Sequence, residues 1–132
     1  MKNILLALTL FVLTFSYSQD YDADIQPIFN NSCVVCHGLN SPSSGLNLSS
    51  YEGVMAGSNS GSVISAGDYE NSVLWQEVSS GDMPNNTANN FLGISDLTEE
   101  EIQLIGDWIL QLGGGDPWDV QVSVCNMTIL LP

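Results

Sequence analysis

The stretch Cys33-Val34-Val35-Cys36-His37 decides how the rest of this chain is read. Two thiols three positions apart lie about one helical turn from each other, so both sulfurs can face one edge of a planar ring. The imidazole that follows then projects beneath the ring's centre. This is the attachment pattern of a c-type haem, in which Cys33 and Cys36 add to the two vinyl groups as thioethers and His37 reaches the iron. Three other uses of the same residues compete. A zinc site drawing on Cys33, Cys36, His37 and the distant Cys125 is one, although zinc ligands normally come as two compact clusters and Cys125 stands alone in an unusual tail. A thioredoxin-like redox pair needs a βαβ setting that this sequence lacks. The last is a plain Cys33–Cys36 disulfide.

A haem iron that carries electrons keeps similar geometry in both oxidation states when two strong axial ligands hold it, and a thioether raises the potential. His37 is the only histidine, so a second imidazole is excluded and the candidates are Met83, Met55 and Met127. Met83 has the most suitable context: Gly81-Asp82-Met83-Pro84 joins a residue that permits a tight turn to one that fixes the backbone just after the ligand. Met55 falls inside an expected short helix and reads as a core side chain. Met127 lies in the tail.

Upstream, Ile25, Ile28 and Phe29 recur at helical spacing behind a run of Asp residues, which predicts a first helix over about 22–32 with Pro27 confined to its first turn. Downstream, Gly38 to Ser50 reads as loop, Ser50 to Ala56 as a short helix and 57–62 as a turn-rich connector. Asn71 or Ser72 caps a helix carrying Leu74, Trp75 and Val78 to Ser79, and Gly81 ends it. After a loop over 82–93, Thr98 with Glu101 three residues on forms a capping box for the clearest helix, whose apolar stripe is Ile102, Ile105, Trp108, Ile109 and Leu112. Gly113, Gly114 and Gly115 terminate it. Asp116 to Pro132, with Val120, Val122 and Val124 alternating, resembles a strand with no evident partner.

At the start, Met1 to Asn3 is a short positive segment, Ile4 to Phe15 is an apolar run, and Ser16-Tyr17-Ser18 puts small residues at the positions that favour a cut before Gln19. The run is too short to span a bilayer, so this is a secretory signal peptide and no membrane span is expected in the mature chain. Of 132 residues, one is basic and 15 are acidic. The basic residue is Lys2, inside the signal, so the mature chain carries no Lys or Arg. Such a surface neutralises no phosphates, which excludes nucleic acid and an anionic membrane face as partners. It suits a redox partner that is itself basic, approached by electrostatic steering that salt weakens.

With these residues identified, the chain resembles a class I, single-haem cytochrome c, and more narrowly the planctomycete-type cytochrome c modules of exported bacterial proteins. The resemblance is carried by I-Q-P-I-F-N-N-S-C-V-V-C-H-G, G-L-N-L-S-S-Y, S-G-D-M-P and L-T-E-E-E-I-Q-L-I-G-D-W-I, between Tyr21 and Leu112. It implies an all-α fold of three to five helices around one covalently attached haem c, with the first and last helices crossing near the haem edge. It also implies Cys33 and Cys36 as attachment points, His37 as proximal and Met83 as distal ligand. The expected organisation is a signal peptide over 1–18, a cytochrome c domain over 19–113 and a linker or tail over 114–132, read either as the start of a further domain or as a strand packed on the haem domain. The implied role is exported, periplasmic or cell-surface one-electron transfer rather than enzyme catalysis, either alone or as a module of a larger redox enzyme. The competing role is a small-ligand sensor or weak peroxidase that opens by releasing Met83. Two features depart from the pattern. No cation balances the haem propionates, leaving backbone N–H groups, water or donors such as Trp75 and Tyr51, and Cys125 is an odd thiol in an oxidising compartment.

Overall fold

The computed structural model describes residues 19–85 and 90–114. The expected signal over 1–18, and most of the tail with its strand-like valines, Cys125 and Met127, lie outside the described residues. Among those described there is no strand, only an isolated bridge between Ser58 and Gly61. The all-α expectation holds on that span.

The first helix opens with a widened π-helical turn, Tyr21–Ile25, and continues as the α-helix α1, Gln26–Ser32. Asp20 caps the turn by accepting from the Ala23 N–H, and the Gln26 N–H reaches back five residues to the Tyr21 carbonyl. Pro27, which has no N–H to donate, falls in the first turn of α1, directly behind the widened turn. The constraint expected of Pro27 is therefore met by a change of helical register, and the helix as a whole starts at Tyr21.

Helices α2, Tyr51–Ala56, and α3, Val73–Ser80, follow through irregular chain. Ser72 occupies the cap position of α3, but its hydroxyl is turned away from the helix. It is buried, accepts from the Ser65 N–H at 2.8 Å and donates to the Asp68 carbonyl at 2.9 Å, so it fastens the preceding turn instead. Gly81 ends α3 in the left-handed conformation. Within the span read as loop over 82–93, residues 90–92 take one helical turn.

The last helix, α4, Glu99–Leu112, begins with the expected capping box: Thr98 Oγ1 accepts from the Glu101 N–H and Glu101 Oε2 accepts from the Thr98 N–H. Its first turn carries Glu99, Glu100 and Glu101, where the helix dipole favours negative charge. The left-handed residue past its end is Gly114. Gly113 keeps a right-handed conformation and serves another purpose, since a Cβ there would lie 2.4 Å from Gly67 Cα. That approach lets the Gly67 N–H bond the Ile109 carbonyl at 2.9 Å and closes the 65–68 turn against α4.

The core joins the first helix to the last. Ile25, Phe29, Ile105, Trp108 and Ile109 are buried, together with Ile28, Leu48, Val54, Val63, Ile64, Leu74 and Val78. Ile102 and Leu112 of the expected stripe are only partly buried, at its edges. Trp108 meets Tyr21, Phe29 and Tyr51 edge-on or tilted, with ring centroids 5.2–6.5 Å apart. Such arrangements contribute about 0.5–1.5 kcal/mol beyond burial. On α3, Trp75 lies over Gly106 of α4 and edge-on to Tyr69.

Candidate functional site

Cys33 is where α1 stops. Its N–H still donates to the Phe29 carbonyl, so the turn that follows is hung from a helix whose inner face is in the core. The Cys36 and His37 N–H groups both donate to the Cys33 carbonyl, at 3.1 and 2.9 Å. The two thiols and the imidazole thus share one compact turn. Two bonds fasten its far side: the Cys36 carbonyl accepts from the Ser43 N–H at 2.9 Å, and the His37 carbonyl accepts from the Leu48 N–H at 2.7 Å. Leu48 is itself a core residue, so His37 is tied to the packed interior through the backbone.

Gly38 is a requirement that composition did not reveal. A Cβ at this position would stand 2.7 Å from the Val34 carbonyl oxygen, a backbone atom that cannot swing aside. The chain leaves the turn so close to its own start that only a glycine fits.

Cys33 and Cys36 stand as free thiols, Cys33 half-buried and Cys36 exposed. Burial above all, with Cys36 and the Glu101 carboxylate adding to it, pushes the Cys33 thiol up to about 12. A thiol held protonated at neutral pH is a poor redox nucleophile, which opposes the redox-pair reading. Among the described residues no three His, Cys, Asp or Glu side chains converge as a metal site. The His37 imidazole is uncommitted: its Nδ1 is buried and has no hydrogen-bond partner. Leaving such an atom unpaired costs about 1–3 kcal/mol.

Met83 is on the loop after α3. Its N–H donates to the Glu77 carbonyl at 3.0 Å, and the Ser80 hydroxyl, which donates to Asp82 Oδ2 and accepts from the Asp82 N–H, braces the turn before it. The side chain is 37 % exposed. Met55 departs from expectation: it is 38 % exposed and not a core residue. In the short helix α2 the buried position is Val54, which places the next residue outside the core. Tyr51 meets Tyr21 and Trp108 edge-on, and Trp75 meets Tyr69 the same way, so both proposed propionate donors have rings engaged in packing.

Around these residues the surface is apolar in an unusual way. Val35 and Leu39 bracket Cys36 and His37 in sequence and are 61 and 73 % exposed. Large apolar side chains are usually covered in a folded protein. Two free thiols in one turn, an imidazole that the protein itself does not bind and uncovered apolar side chains beside it all fit a covalently held haem. Cys33, Cys36 and His37 would hold it.

Over the described residues, fold and turn together define a small helical protein with a Cys-x-x-Cys-His turn at the end of its first helix. Residues 33–85 match the family model described as Planctomycete cytochrome C, the family that the sequence resembles. The matched stretch opens on Cys33 and closes just beyond Met83-Pro84, while the first helix and α4 flank it. No curated protein and no solved structure matches the chain.

Proposed function

We propose that this protein is an exported one-electron carrier with a single haem c, held covalently at Cys33 and Cys36 and ligated by His37 and Met83. The observation that carries the reading is the Cys33–His37 turn, with free thiols and an imidazole that has no protein partner. When bound, the haem supplies a one-electron couple at its iron. The chain's own part is to position and to shield. Hung from α1 and tied to Leu48, the turn fixes the imidazole with little freedom to move. Glu77 and the 80–82 turn fix the backbone at Met83. A ligand pair held in this way changes little between oxidation states, which suits electron transfer and leaves no site for an added reactant. With no second histidine there is no distal imidazole to assist peroxide chemistry.

Two further parts of the proposal rest on sequence. The opening segment supports export with cleavage after Ser18. The acidic first turns of the first and last helices, in a chain whose sole basic residue is Lys2, support a basic redox partner. Electron exchange with such a partner should slow as salt rises.

A redox titration followed in the visible bands tests the function. The expected result is one reversible one-electron transition, with a reduced spectrum that carbon monoxide leaves unchanged. A reduced protein that binds carbon monoxide readily would favour a sensor or weak peroxidase that opens at Met83.

A further inference from the structure

Gln19, the residue placed first by the cleavage proposed above, has an unusual setting. Its main-chain N–H donates to Gln111 Oε1 near the end of α4, at 3.2 Å. Its own side-chain oxygen, Oε1, is buried without a partner. The next residue is tightly held: Asp20 caps the first helix through the Ala23 N–H, and its N–H donates to Asp24 Oδ2 at 2.9 Å. The nitrogen of Gln19 therefore stays at the fold, while its side-chain carbonyl is fastened to nothing.

Cleavage converts this amide nitrogen into an α-amine, which near neutral pH carries a positive charge, with a pKa of roughly 7.7–8.0. The Asp20 and Asp24 carboxylates nearby favour that charge, and two features of the site oppose it. Gln19 is partly buried, and it sits just ahead of a helix start, where the dipole is positive. A neutral nitrogen with one remaining hydrogen would satisfy the Gln111 carbonyl equally well.

We propose that Gln19, once exposed as the N-terminus, closes on itself to pyroglutamate. The lone pair of its α-nitrogen attacks its own Cδ and forms the N–Cδ bond of a five-membered lactam. The Cδ–Nε2 bond breaks, and Nε2 leaves as ammonia with one of the two hydrogens of the attacking amine. No electrons change hands and no co-reactant is needed. The lactam keeps one N–H on the same nitrogen, so the donor to Gln111 survives while the charge is removed. The product is a blocked, neutral N-terminus anchored to α4.

The inference rests on the cut after Ser18, and the composition offers a test that separates the two. The single lysine is Lys2, so the chain from Gln19 onward has no side-chain amine and its α-amine would be the sole primary amine. The holoprotein, exported by a haem-attaching host and purified, is denatured, treated with an amine-reactive ester and weighed intact. The expected wild-type mass is that of residues 19–132 with haem, less one ammonia and without label, whereas Gln19→Ser takes up one label. A wild-type chain that starts at Gln19, keeps its ammonia and takes up one label would overturn cyclisation and leave export standing. A chain that retains residues 1–18 and labels at Met1 and Lys2, or that starts elsewhere, would overturn both.

Discussion

The two ends of the first helix, Tyr21–Ser32, differ in how the protein completes them. At its beginning the helix meets α4 through Ile25, Phe29, Ile105, Trp108 and Ile109, all buried, with four aromatic rings in mutual contact. At its end, the Cys33–His37 turn is equally well fastened in its backbone, yet its side chains are left unfinished: thiols unpaired, an imidazole nitrogen buried and unbonded, Val35 and Leu39 uncovered. A protein that can close one end so thoroughly has the means to close the other. The contrast sets a packed helix junction against a turn whose open side chains the proposed haem would engage.

Breaking the site should leave the scaffold recognisable, and breaking the scaffold should affect both. The largest effect is expected from Cys33→Ala with Cys36→Ala, which removes covalent attachment: the intact mass should drop by one haem and the purified chain should be colourless after acid extraction. Retention of tightly bound colour through extraction would contradict the attachment reading. Next comes Trp108→Ala, which empties the aromatic junction of the first and last helices and should cost about 3–5 kcal/mol in a denaturant titration. A cost under 1 kcal/mol would mean that the junction is not the centre of the core.

Gly38→Ala sharpens the comparison, because it strains the turn and leaves the helix pair untouched. Crowding the Val34 carbonyl should cost about 1–3 kcal/mol and lower the yield of haem-loaded protein. Full yield and unchanged stability would show that the exit from the turn can shift. The smallest effect belongs to Thr98→Ala, which removes one half of the α4 capping box for about 1 kcal/mol, with no change in the visible spectrum. A spectral change there would mean that the start of α4 reaches the site more directly than the capping role requires.

Much of this was legible in sequence, and the reason differs from element to element. The capping box at Thr98, the stop at Gly81 and the turn of Cys33, Cys36 and His37 depend on residues a few positions apart, so local chemistry settles them. Met55 looks like core in sequence but is exposed, because a helix as short as α2 has too few apolar positions to define its inner face. In sequence Gly38 and Gly113 look like loop and terminator, whereas each is fixed by backbone approaching from elsewhere: Val34 for one, Gly67 for the other. The widened turn before Pro27 was similarly hidden, since the residue forbids one register without naming its replacement.

Met83 is the part of the proposed site that sits farthest along the sequence from the Cys33–His37 turn, and Met55 is equally exposed, so the identity of the distal ligand is the central claim to test. The direct measurement is the weak far-red band of methionine bound to ferric haem, recorded for the wild type and for Met83→Ala and Met55→Ala. The account predicts the band in the wild type and in Met55→Ala, and its loss in Met83→Ala together with a lower potential and new carbon monoxide binding to the reduced form. A band that survives Met83→Ala and disappears in Met55→Ala would contradict it and place the ligand on α2.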